Sequence, residues 1–172
     1  MKYKEASLYV DIVQRIALQS RARRLQVGAL LVTSDDVLII GYNGTPSGWD
    51  NNCEDEIFYS KEISSITIND LGDVIPHIRE PHVELKTKYE VIHAEMNVYR
   101  KAANSQNSIK SGTLFLTHPP CHHCAKLYLG TGLKELVYIN DYKSSSSDTD
   151  LGVNLLKKDG IKVTKWSEYA EV

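Results

Sequence analysis

Apolar positions near the start of the chain recur at helical spacing. Leu8, Ile12, Val13 and Ile16, with Ala6 and Ala17 alongside, predict an amphipathic helix ending around the Arg-rich segment Arg21 to Arg24. Two short β-branched runs follow, QVGALLVT and VLIIGY, and Ser34, Asp35 and Asp36 between them supply turn chemistry, so the pair predicts a β-hairpin. A turn-rich stretch, GYNGTPSGWDN, leads into residues 54–92, where the pattern is mixed and Pro76 and Pro81 interrupt any long element; this insert receives no fold from its sequence. Beyond it the pattern predicts a helix over 92–103, a strand over 112–117, a helix over 121–130 and a strand over 135–139. A helix over 150–158 and a last strand, IKVTKW, complete it. Strands separated by helices of this length require crossovers, hence an α/β fold with a partly parallel sheet covered on both faces; the opening hairpin makes that sheet mixed. No internal repeat is visible, and the serine run Ser144 to Ser147 reads as a loop within one domain spanning 1–172.

Composition narrows the class. With 172 residues, 42% hydrophobic and 24% charged, the chain can bury a real core, and its longest apolar runs fall far short of the roughly 20 residues that cross a bilayer. Glu5 and Asp11 break the stretch where a signal peptide needs an apolar centre, so a cytoplasmic location is expected. A formal charge of −2 gives no basic excess to hold a long nucleic acid by counterion release. Three cysteines, an odd number, argue against a disulfide framework and for thiols that bind metal or sit inert.

The chemistry concentrates in HAE at His93 to Glu95 and in PPCHHC at Pro119 to Cys124. Cys121 and Cys124, three apart at a helix start, put both sulfurs on one face, and the helix N-terminus favours their thiolates. His93 and Glu95 are about 200° apart on a mid-helix wheel, so either both belong to a first turn or one does a different job. One His and two Cys give zinc three protein ligands and leave a fourth position for water, the arrangement of a catalytic site, with Glu95 free to carry protons. H-x-E followed by P-C-x-x-C is the general signature of zinc nucleobase deaminases. The alternative is a closed structural site, a metal-stapled interaction module, in which His118, His122, His123 or Cys53 supplies the fourth ligand.

LQVGALLV, GYNGTPSGWDNNC, KYEVIHAEMN, LFLTHPPCHHCAK and GLKELVYINDY, in this order, resemble the deoxycytidylate deaminase family. The resemblance implies a cytidine-deaminase-like three-layer α/β/α sandwich with a five-stranded mixed sheet. It implies hydrolysis of dCMP to dUMP, supplying dUMP for thymidylate synthesis, with one Zn²⁺ on His93, Cys121 and Cys124 and with Glu95 as proton shuttle. It also implies a homohexamer activated by dCTP and inhibited by dTTP, each with Mg²⁺. Residue by residue, Asn43 matches a partner for the deoxyribose hydroxyl, with Thr45 beside it, and Arg24 a phosphate ligand. Tyr142 and Lys143 would close over the nucleotide, and Gly44, Gly48 and Asn97 match effector positions. Other readings compete: glycines in a tight double turn, arginines drawn to a helix C-terminus by its dipole, and a tyrosine that only packs. Deamination of a free nucleoside or of a base in nucleic acid are the rival activities. Some viral members hold a second zinc through cysteines where this chain has Ala22, Arg23 and Asn52, so only Cys53, with His77 or His82, could rebuild it.

Overall fold

In the computed structural model, which describes residues 1–142 and 147–169, five strands form one mixed sheet in the order β2-β1-β7-β8-β9. They are β1 (Gly28–Val32), β2 (Leu38–Tyr42), β7 (Thr113–Leu116), β8 (Glu135–Tyr138) and β9 (Lys162–Lys165). The expected hairpin is present, with Leu30 opposite Ile40. β7 runs antiparallel to β1, and β7, β8 and β9 run parallel through helical crossovers.

Among the described residues four α-helices cover the sheet: α1 (Tyr3–Ala17), α2 (Ala94–Asn104), α3 (His122–Lys126) and α4 (Ser147–Lys158). Alternate residues of each central strand point to opposite layers. Leu30, Val32, Phe115 and Val137 pack with Ala6, Tyr9, Val10, Val13 and Ile16 of α1. Ala29, Leu31, Leu114, Leu116 and Leu136 pack with Ala94, Val98, Ala125 and Leu156 of the other three helices. Because both faces are covered, β1 and β7 are buried at every residue. Each such leucine contributes about 1.5–3 kcal/mol of apolar burial.

Several boundaries differ from the sequence reading. α1 stops at Ala17, before the arginine segment, because Gln19 and Ser20 donate to Ile16 and Ala17 in three-residue turns. Its buried stripe uses Tyr9 and Val10, while Leu8 is 55% exposed. α3 ends at Lys126, where Leu127 and Tyr128 tighten onto Cys124 and Ala125, and Gly130 and Gly132 take positive φ. α4 begins at Ser147, three residues early; Lys143 and Ser144 to Ser146 lie outside the described residues.

The insert is an antiparallel ribbon. β3 (Glu54–Tyr59) pairs with β6 (His82–Thr87), and β4 (Glu62–Ile68) with β5 (Val74–Arg79). Pro76 sits inside β5, which a two-stranded ribbon tolerates because one side of each strand has no neighbour to receive an N–H. At the ribbon base Lys88 donates to the Cys53 carbonyl, and Gly44 and Ile92 exchange backbone hydrogen bonds, which brings the glycine loop beside the start of α2.

Candidate active site

Two helix starts converge. His93 is the N-cap of α2, with extended backbone (φ −67°, ψ 155°), so its side chain leaves the helix while Glu95, one residue into the first turn, is only 3% exposed. That resolves the angular problem of the two-residue spacing: the cap residue is not on the helical wheel. Cys121 likewise caps α3 (φ −66°, ψ 164°), and Cys124 lies buried within its first turn. Pro120 stands just before that cap. Tyr128, fully buried behind α3, donates to the Glu95 carbonyl at 2.8 Å and ties the two helix starts together.

His93 Nδ1 lies 3.8 Å from Cys121 Sγ and 3.4 Å from Cys124 Sγ, and all three ligand atoms fall within 4.8 Å of one another. A tetrahedral zinc with its usual bond lengths separates nitrogen and sulfur ligands by roughly 3.5 Å, so this donor set fits the ion in both chemistry and spacing. Among the described residues no fourth Cys, His, Asp or Glu joins the group. His122 faces Asp148 of α4 at 3.3 Å, the His118 ring lies tilted against Tyr142, and Cys53 is buried with Ala22 and Val91. His123 is exposed beside the His122 ring. His77 lies out on the ribbon, bonded to Thr67, and His82 stacks on Tyr59.

The electrostatics follow from this packing. The Cys124 thiol beside it holds Cys121 as a thiolate, down to about 3, while Cys124 itself is pushed up by that shared proton and by burial. His93 is raised, first by its hydrogen bond to Cys121. Burial pushes Glu95 up to about 7, against the lowering influence of its own backbone N–H and of His93.

A cleft of about 600 Å³ opens above these groups. Arg24, Asn43, Tyr142, His93 and Glu95 all line it, so three of the four expected substrate residues meet the reacting floor. Thr45 does not: it donates to the Asp50 carbonyl and lines a separate depression. Because α1 ends seven residues before Arg24, a helix dipole does not account for that arginine. Asn43 has a structural duty as well, since its Oδ1 accepts from Val27 N at 2.8 Å and its Nδ2 donates to Leu25 O at 2.9 Å.

The family described as "Cytidine and deoxycytidylate deaminase zinc-binding region" matches residues 3–140. The chain belongs to this deaminase family. It is 29% identical to the deoxycytidylate deaminase of Enterobacteria phage T4 over 92% of this chain and 88% of that one. Against the deoxycytidylate deaminase of Mus musculus the identity is 30%, covering 91% and 76% of the two chains. The dCMP deaminase of cyanophage S-TIM5, solved in complex with dCMP and dUMP, superposes with a TM-score of 0.71 at 30% identity, covering 96% of this chain and 98% of that one.

Like these relatives, the chain is a hydrolytic deaminase. Beside the deaminase cleft, a second depression of about 530 Å³ gathers Gly44, Thr45, Gly48 and Asn97, with Arg21, Trp49 and Lys101 around them. The expected effector positions thus share one hollow, and Asn97 donates to the Tyr42 carbonyl at 2.9 Å. Sequence reasoning overlooked Glu54, Thr87, Asn140 and Asp141, which also line the main cleft, and considered His118 only as a metal ligand. Position next to the PPC motif was the available signal for His118. Nothing in the acidic run EDE distinguishes a buried Glu54 from its solvated neighbours.

Proposed function

We propose that this deaminase converts dCMP to dUMP with release of ammonia, supplying dUMP for thymidylate synthesis. The observation that carries the reading is Glu95, buried against the His93, Cys121 and Cys124 set on the floor of a cleft that Arg24 also lines. The names of the phage and mouse relatives, and the nucleotides bound by the cyanophage enzyme, support the choice of substrate.

His93, Cys121 and Cys124 hold the zinc. When bound there, zinc supplies a water acidic enough to act as a nucleophile near neutral pH. Glu95 accepts one proton of the attacking water and passes it to the ring nitrogen, then carries the second, from the hydroxyl added at C4, to the amine, which leaves as ammonia as C4 becomes a carbonyl. Burial raises the proton affinity of this carboxyl, which suits it to both halves of that transfer. Arg24 meets the phosphate. Asn43 meets the deoxyribose hydroxyl with the amide hydrogen its Leu25 contact leaves over, and Tyr142 walls the cleft against His118.

The second depression, with Gly44, Gly48, Asn97 and now Thr45, takes dCTP or dTTP with Mg²⁺, and the cations Arg21 and Lys101 on its rim suit a polyphosphate. The assembly is a cytoplasmic homohexamer. Among the described residues no helix is long and apolar enough to cross a membrane.

Ammonia release from dCMP, CMP and deoxycytidine, with and without dCTP, dTTP and Mg²⁺, tests the reading. Turnover of dCMP well above the other two is expected, raised by dCTP and lowered by dTTP. Preference for deoxycytidine would contradict the substrate, and indifference to effectors would remove the regulation. Arg24→Ala should abolish the preference for dCMP over deoxycytidine; retention of that preference would take the phosphate role away from Arg24.

A further inference from the structure

The segment between α1 and β1 has no regular structure, yet it presents Arg24 to the cleft. An exposed arginine on an irregular loop carries about 2 kcal/mol of rotamer entropy, and a ligand that it grips must bear that cost unless the protein has already restricted it. Here the loop is fastened on both sides of Arg24. On the far side Asn43 takes Val27 N and Leu25 O with its two amide ends. On the near side the Glu54 carboxyl, 1% exposed, accepts from Arg23 N at 3.1 and 3.2 Å and from Arg24 N at 3.2 Å. Consecutive backbone N–H groups converging on one anion form a nest, and the anion that fills it belongs to the first residue of the ribbon.

The second half of the device lies directly across the ribbon. Glu54 is paired in register with Thr87, and Thr87 Oγ1 accepts from Arg24 Nη1 at 3.4 Å. One ladder pair therefore holds Arg24 at its backbone and at its guanidinium. Arg23 is occupied elsewhere, 2.8 Å from Glu56 and 3.9 Å from Glu54, which leaves Arg24 as the cation of this loop facing the cleft.

From this geometry we infer that Glu54 and Thr87 are positioning residues that set Arg24 for the substrate phosphate, and that the insert serves the site through its base. The inference rests on the reading of Arg24 as the phosphate ligand. Its test is steady-state kinetics of the zinc-loaded full chain on dCMP and on deoxycytidine, for Glu54→Gln, Thr87→Val, Arg24→Ala and the double variant Glu54→Gln/Arg24→Ala. Loss of a hydrogen bond to a charged group predicts a KM for dCMP raised about tenfold by Glu54→Gln and a smaller rise by Thr87→Val. In both, kcat for dCMP and all constants for deoxycytidine stay within about twofold, because no uniform loss of folded enzyme is involved. In the Arg24→Ala background Glu54→Gln should add nothing, since its effect passes through that side chain. A further rise there, or equal losses on both substrates, overturns the positioning role while leaving Arg24 in place. Arg24→Ala that still prefers dCMP overturns both assignments. If Glu54→Gln does not fold, Thr87→Val decides, and an unchanged KM for dCMP in that variant overturns the inference.

Discussion

At the scale of single residues, the site combines groups whose protonation is set by position. In the metal-free protein, burial keeps Glu95 protonated up to about pH 7, whereas its ordinary value is 4.5. The folded state therefore binds the extra proton between those values, so stability falls as pH rises through them, and above pH 7 the full cost of about 3 kcal/mol is present. Glu95→Gln should accordingly raise the melting temperature of metal-free protein by several degrees at pH 8 and by much less at pH 5. Equal shifts at the two pH values would contradict a buried ionisable carboxylate. The convergence of these candidate residues was legible in the sequence because a thiolate pair and a His-x-Glu at helix starts have few other uses. Asn43 was legible only in part: its place by the cleft follows from the glycine-rich loop, but its two bonds to the 25–27 backbone depend on a chain crossing that no local pattern encodes.

At the scale of elements, the metal-ligand geometry depends on how tightly helices approach the two helix starts. Gly152 of α4 lies against the Pro120–Cys121 backbone, where a Cβ would come within 2.2 Å of the Pro120 carbonyl oxygen and 2.9 Å of the Cys121 carbonyl carbon. Gly41 of β2 is placed similarly against α2, its would-be Cβ 2.5 Å from the Ala94 carbonyl oxygen. Gly152→Ala should push α4 off the Cys121 cap, lowering zinc affinity at least tenfold and stability by about 1–3 kcal/mol. Competition with a zinc chelator measures the first and thermal unfolding the second; wild-type values for both would refute the close-packing argument. The sheet and its helices were readable because buried strands and amphipathic helices carry strong periodic signals. The boundaries of α1 and α3 were not, since three-residue turns continue a helix's apolar pattern after its four-residue hydrogen bonds have ended. The ribbon escaped detection because Pro76 and Pro81 argue against a central strand, and a two-stranded ribbon has none.

At the scale of the whole molecule, the sheet and three helices carry the floor of the candidate site, and the ribbon reaches the cleft through its base. Among the described residues, none of the three buried hydrophobic clusters includes a residue between Glu54 and Thr87. Replacing residues 60–81 by an Asn-Gly turn between Tyr59 and His82 should therefore leave the zinc content unchanged and the melting temperature within a few degrees. Loss of metal or of cooperative unfolding in that variant would show that the outer ribbon supports the core. Zinc removal is the opposite case. It leaves one imidazole and two sulfurs without the ion they would share, and it should destabilise the protein reversibly, with stability restored on adding the ion. The most direct test of the central claim is conversion of dCMP to dUMP by wild-type and Glu95→Gln protein at equal zinc content. Wild-type turnover with a loss of about 10²–10⁴ in kcat for the variant, zinc retained, is the predicted result. Comparable turnover by the two proteins, or a wild-type protein that binds zinc and leaves dCMP unchanged, would contradict the account.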